Sequence, residues 1–175
     1  DSSLQSSFQP LIDHKSAFLN ATMVNLSYIT SSYSGADLQE QVRAFIADAY
    51  ATWNTEYVLL GGDDILIPHR GFNCSVESTN GWIHEDDIPA DLYYAALDGS
   101  WNDDGDSHWG ELEDNPDWYA EVYLGRAPVE TAGEATAFVN KTISFEMATK
   151  PQRVQLQQAL LVDGNDPDST ATPEA

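Results

Sequence analysis

The chain has 175 residues, 42% of them hydrophobic and 11% aromatic, including five Trp and eight Tyr. That is the size of one ordinary domain or two very small ones, with apolar matter enough for a packed core, so a wholly disordered acidic tail is excluded. Seven Lys and Arg stand against 29 Asp and Glu, a net charge of −22; such a surface repels phosphate backbones and anionic membranes, and suits cations, basic partners or a salty extracellular medium.

Leu4, Phe8, Leu11, Lys15 and Phe18 recur at helical spacing, with Ser2 or Ser3 placed to cap the start. After a turn around Asn20, Thr22 to Leu26 reads as a short extended run. Gly35-Ala36-Asp37 then opens the clearest helix, in which Leu38, Val42, Phe45, Ile46, Ala49, Tyr50 and Trp53 form one apolar stripe. Tyr57-Val58-Leu59-Leu60, stopped by Gly61-Gly62-Asp63, is a short continuous apolar run and predicts a buried parallel strand. Glu121 to Arg126 repeats that pattern. Thr131 and Glu134 form a capping-box pattern ahead of a helix through Phe138, Val139, Thr142 and Phe145. Ala159-Leu160-Leu161-Val162 predicts a last strand. Helix and strand alternate, so the expected fold is α/β, a parallel sheet covered by helices.

Between Arg70 and Arg126 the character changes. From Glu85 to Asp117 there are twelve acidic residues and no Lys or Arg, with Trp82, Tyr93, Tyr94, Trp101, Trp109 and Trp118 in and around them. A solvated acidic loop has no use for so many large aromatics, so a folded, acidic, aromatic-rich excursion is expected over 71–120.

Within it, Asn102-Asp103-Asp104-Gly105-Asp106 continues through Ser107, His108, Trp109 and Gly110 to Glu111. Calcium takes six to eight oxygens, and alternate side chains at Asn102, Asp104 and Asp106 can turn toward one centre. Glu111 is near enough to close the shell, and Asp98 could join from the preceding turn. The spacing is not that of an EF-hand loop, since the glycine comes early and so does the glutamate. The competing reading is Asp and Gly doing turn work at the surface.

Other candidates carry less chemistry. Gly61-Gly62-Asp63-Asp64 lies at the carboxyl end of a strand, where open α/β sheets hold ligands, but no phosphate-loop pattern is present. A tight turn with Asp63 bonded to neighbouring backbone is the better reading. His14, His69, His84 and His108 form no zinc motif, and His84 beside Glu85-Asp86-Asp87 is either a metal ligand or a surface residue. Arg126 calls for an ion pair with Glu121 or another acid. Cys74 is the sole cysteine, so no disulfide forms within the chain; as a nucleophile it would need a base near it in space, and its place inside a sequon in a Gly/Asn/Ser-rich stretch favours a bystander. Asn20, Asn25, Asn73 and Asn140 head glycosylation sequons. No apolar run has the roughly 20 residues of a membrane helix.

These residues contain no complete catalytic constellation. An ordered set of blocks nevertheless resembles a known family: Leu11-Ile12-Asp13-His14-Lys15, Gly35 to Ile46, Tyr57 to Asp63, Ile67-Pro68-His69-Arg70, Ile88 to Tyr94, Leu97-Asp98-Gly99, Glu121 to Val129 and Phe138 to Ile143. Together they are similar to the amino-terminal part of the catalytic region of gingipain-type cysteine peptidases. The resemblance implies a secreted or cell-surface endopeptidase acting on proteins or peptides, with a caspase-like fold in two side-by-side subdomains, often calcium-stabilised. It implies further that residues 1–150 form the first, non-catalytic subdomain and 151–175 the start of the second. The family's catalytic Gly-His-Gly and Cys segments are absent from these residues, and Cys74 does not match the nucleophile. Both ends are expected to be cut, with the rest of the polypeptide or a partner chain completing the sheet. The alternative expectation is a peptidase-derived binding or structural module of a cell-surface assembly.

Overall fold

The fold was obtained as a computed structural model, and it describes residues 4–149. The expected caps at Ser2 and Ser3, the strand Ala159 to Val162 and the segment 151–175 lie outside the described residues. Helix α1 is Gln5–Lys15, α2 Leu26–Ser32 and α3 Leu38–Trp53. Strand β1 (Tyr57–Gly61) is followed by β2 (Arg70–Ser78) and β3 (Gly81–Ala90). Two 3-10 turns, Asp91–Tyr94 and Leu112–Asp114, precede β4 (Tyr123–Ala127) and α4 (Ala132–Met147).

β1 and β4 pair in parallel, from Tyr57 opposite Tyr123 to Gly61 opposite Ala127. Two helical layers cover this pair. On one face α2 and α3 contribute Ile29, Val42 and Ile46 to a core with Leu60, Ile67, Tyr93, Tyr94, Trp101 and Val122. On the other, Leu4, Phe8 and Leu11 in and just before α1 meet Ala127, Val129 and the α4 residues Ala135 and Val139. Gly61 lets them close in tightly, because a Cβ would lie 3.2 Å from the Phe8 ring and push it back by a few tenths of an ångström. His14 and Lys15 both bind Glu146, tying α1 to α4.

The helix starts follow from their caps. Asp37 accepts the Glu40 N–H at 2.8 Å, and Thr131 and Glu134 form the expected capping box on α4. No strand forms over Thr22 to Asn25, and Leu26 opens α2, because Asn25 accepts the Tyr28 N–H at 2.8 Å and so starts a helix. The buried parallel strand is buried on one face only. Leu60 is inside, but Tyr57, Leu59 and Tyr123 are exposed, since α1 and α4 reach only the carboxyl end of the pair on that side. Over 71–120 the largest departure from expectation is a long antiparallel hairpin, β2 with β3, running from Arg70 opposite Ala90 to Ser78 opposite Gly81.

Candidate functional site

Residues 91–121 fold around aromatic rings rather than regular structure. Tyr93 meets Tyr94, Trp101 and Trp109 edge to face, and Trp101 meets Trp118 in the same way at 5.5 Å. Such pairs each add roughly 0.5–1.5 kcal/mol beyond the area they bury. Two arginines bolt this cluster to the body. Arg70 makes two 2.9 Å bonds to the carboxylate of Asp37, the α3 cap, and its guanidinium lies 3.6 Å over Trp109 and 4.6 Å over Tyr93. Arg43 of α3 donates to the carbonyls of Tyr93, Ala96 and Asp98. Arg126 finds its acid in Asp91, at 2.6 and 2.7 Å, and not in Glu121, which is turned to the Leu97 N–H. Asp63 accepts from Ile65 N–H and Leu66 N–H, the turn role its position suggested.

Asp114 is fully buried and was not singled out by its sequence context. Its carboxylate accepts the N–H groups of Asp103, Gly110 and Glu111 at 2.7, 2.9 and 3.3 Å. It thereby closes the loop that carries the calcium candidates. Gly110, at φ 71°, presses against Phe72 and Trp101 where no Cβ would fit. The pattern Glu111-Leu112-Glu113-Asp114 ahead of an αL Asn115 is the signal that could have marked this turn.

The five candidate ligands separate into groups. Asp106 and Glu111, together with His108, bring ligand atoms within 4.8 Å of one another. Asp98 instead joins Asp117 and Glu121 in a second such group, because Gly99, at φ 69°, lets the chain pass directly against the Asp117 backbone. Asn102 donates its amide N–H to the Asp106 carbonyl, and its buried Oδ1 has no partner among the described residues. Asp104 accepts the Asp106 N–H, Asp106 the His108 N–H, and Asp117 the Tyr119 N–H. Turn work is therefore present, and at Asp106 it takes both oxygens, since the His108 ring nitrogen Nδ1 lies 3.0 Å from the second.

The electrostatics follow from crowding. Asp98 is raised above the usual carboxylate range by its hydrogen bond to Asp117, with the charge on Glu121 adding to this. Desolvation raises Glu111, and Asp106 and Asp104 push the same way. Asp106 is lowered by its bonds from His108, whose own proton affinity rises in return. Among the described residues, no Lys or Arg forms an ion pair with Asp98, Asp104, Asp106, Glu111 or Asp117. The arginines near them are spent on Asp37, Asp91 and backbone carbonyls. His84 is exposed and bonds Ser75 across the hairpin, so it meets no acid there.

Comparison with known proteins decides the ancestry. The profile of peptidase family C25 matches residues 1–174. The chain belongs to this family. Two Lys-gingipain sequences of Porphyromonas gingivalis are 32% and 30% identical to it over 76 residues, which is 43% of this chain and 3% of each relative. Two solved structures share the fold. A complex of the Porphyromonas gingivalis RgpB pro- and mature domains superposes with a TM-score of 0.54 at 21% identity, over 81% of this chain and 26% of that one. Dimeric latent PorU from the same organism gives 0.54 at 16% identity, over 90% and 16%. The C25 chain described here thus corresponds to a small part of the relatives it matches. No helix among its described residues is long and apolar enough to cross a membrane.

Proposed function

We propose that this chain is part of a secreted or cell-surface, calcium-stabilised cysteine endopeptidase of the gingipain type. Residues 1–150 supply the non-catalytic first subdomain, with the acidic aromatic-rich excursion 71–120, and 151–175 begin the second. No residue here is assigned a catalytic role, and the catalytic His and Cys come from the remainder of the polypeptide. The family match along the chain carries this reading. Protein or peptide substrates belong to the whole enzyme, and the sheet is completed by the rest of the polypeptide or by a partner chain.

Calcium is proposed to bind through Asp98, Asn102, Asp104, Asp106 and Glu111. Support comes from Asp106 and Glu111, whose ligand atoms gather within 4.8 Å of one another and of that of His108, from Asp98 in the group with Asp117 and Glu121, from the lack of a Lys or Arg ion pair to these carboxylates among the described residues, and from the orphaned Asn102 Oδ1. Bound there, the cation would relieve the repulsion that raises Glu111 and Asp98.

Two measurements test the reading separately. The parent protein should hydrolyse casein, and should lose this activity when the first Cys after a downstream Gly-His-Gly is changed to Ala. A parent without those segments, or inert toward protein, favours the peptidase-derived binding module instead. Calcium should raise the melting temperature by several degrees, and Asp104→Ala with Asp106→Ala should abolish that rise. An unchanged melting temperature in calcium defeats the metal assignment and leaves the peptidase reading standing.

A further inference from the structure

The β2–β3 hairpin is unlike the rest of the molecule in what it leaves uncovered. Val76, Trp82 and Ile83 are all more than half exposed, and Val76 faces Ile83 across the strands. Trp82 and His84 lie parallel on the same face. Every residue of β3 from Gly81 to Pro89 is exposed. Among the described residues, β3 makes backbone hydrogen bonds only to β2, whereas β2 also reaches outward, with Asn73 N–H donating to the Trp109 carbonyl. The outer edge of β3 is therefore a row of unpaired backbone groups, long for an edge and flanked by large apolar side chains. Native edges of this kind either carry protection against other strands or receive one.

The charges on the hairpin decide which strands are refused and which are admitted. Glu85, Asp86 and Asp87 follow directly on Trp82-Ile83-His84, Glu77 stands opposite Trp82, and residues 71–120 contain no Lys or Arg. A second copy of the chain pairing edge to edge would bring these acids onto an equally acidic surface, and the net charge of −22 opposes any such approach. The chain's own residues 150–175 carry two basic against four acidic residues, so they lack the complementary sign. We infer that the β3 edge is a docking strand for an extended, basic segment of a partner protein. On the face that carries Ile83 and Glu85, alternate Lys or Arg side chains of that segment would meet Glu85, and on the other face its apolar side chains would lie on Trp82. Backbone pairing supplies affinity and charge supplies selection, as in strand addition generally. No proposed calcium ligand lies in the hairpin, so this inference and the metal assignment stand or fall apart.

The test uses the full chain and three decapeptides: strictly alternating Lys and Val, the same composition interrupted by two Pro, and alternating Glu and Val. The Lys/Val peptide should bind, with hydrogen-exchange protection confined to β3. The Pro peptide should bind at least tenfold more weakly, because proline cannot donate to a ladder, and the Glu/Val peptide should not bind. Glu85→Lys and Trp82→Ser change exposed positions, and each should weaken Lys/Val binding severalfold with unchanged far-UV circular dichroism. Equal binding of the Pro peptide would show a mere polyelectrolyte attraction and overturn the inference. So would protection appearing at 98–117 instead of β3, or no binding of the Lys/Val peptide at all.

Discussion

The α/β body and the acidic segment 91–121 are held together by different physics. In the body, apolar side chains at helix and strand periods meet across two cores, and polar links serve helix ends at Asn25, Asp37 and Thr131, the α1–α4 contact at Glu146 and the turn after β1. In the acidic segment the only regular structure is two short 3-10 turns, and order comes from ring packing, from the buried Asp114 within it and from the Arg70 and Arg43 side chains that reach it from the body. An aperiodic, strongly charged stretch can thus be as firmly built as a helix layer, provided its buried charges are matched. The two regions should then fail differently.

Arg70→Met is expected to have the largest effect, because it breaks the joint between them. Arg70 is 6% exposed and bridges Asp37 to the Trp109 and Tyr93 rings, so its loss strands the α3 cap and unstacks the aromatic cluster together. Removing one partner of a buried pair costs roughly 3–5 kcal/mol, and because Asp37 keeps about a third of its side chain in water the lower end applies here. Chemical denaturation should show that loss with helix and tryptophan signals falling together; a cost under about 1 kcal/mol would refute the joint. Asp114→Ala comes next and should act on one side only. It leaves three buried N–H groups without their charged acceptor, which costs about 3 kcal/mol. Tryptophan emission should shift while far-UV ellipticity from α3 and α4 is retained. A uniform loss of both signals would mean the segment is not a separate unit.

Legibility in the sequence divides along the same line. The stripe from Leu38 to Trp53, the apolar run Tyr57–Leu60 and the Thr131/Glu134 box were readable because periodicity and capping are local. Helix α2 was missed because its signal is a single cap, Asn25, on a segment of ordinary composition. The hairpin was hidden by its acids: Glu85, Asp86 and Asp87 interrupt the alternation that marks a strand, yet they sit on an exposed edge that tolerates them. At the candidate site, carboxylate density marks a stretch, but which carboxylates group together depends on contacts distant in sequence. Asp98 finds Asp117 and Glu121 only because Gly99 brings two chain segments together. The partner of Arg126, Asp91, is equally remote and had no local mark.

The smallest expected effect lies at the seam between the regions and is read in its pH dependence. His69 places Nδ1 at 2.5 Å from Asp64, in the turn after β1, and Nε2 at 3.2 Å from Asp87, on β3. Both ring nitrogens can donate to carboxylates at once only as the imidazolium. Burial lowers the proton affinity of this ring, but the bonds to Asp64 and Asp87 outweigh it, so the folded pKa lies above the usual 6.5. Asp64 is lowered in turn, chiefly by the backbone N–H of His69 and then by its ring. A histidine raised on folding stabilises fully below its unfolded value and loses that contribution as pH climbs through the folded one. Asp64 adds the opposite limb, lost only as pH falls through the lowered carboxylate range. The contribution of this clasp should therefore be greatest between the carboxylate range and about pH 6.5, and decline above it. Melting temperatures of the native chain and of His69→Gln, compared from pH 5 to 9, should differ most at the acid end and converge upward. Because Asp87 is largely exposed, salt should shrink the difference. A difference independent of pH would assign His69 to packing alone, and the hairpin would then be anchored by the Asn73 N–H on the Trp109 carbonyl and by Phe72 against Trp118 rather than by charge.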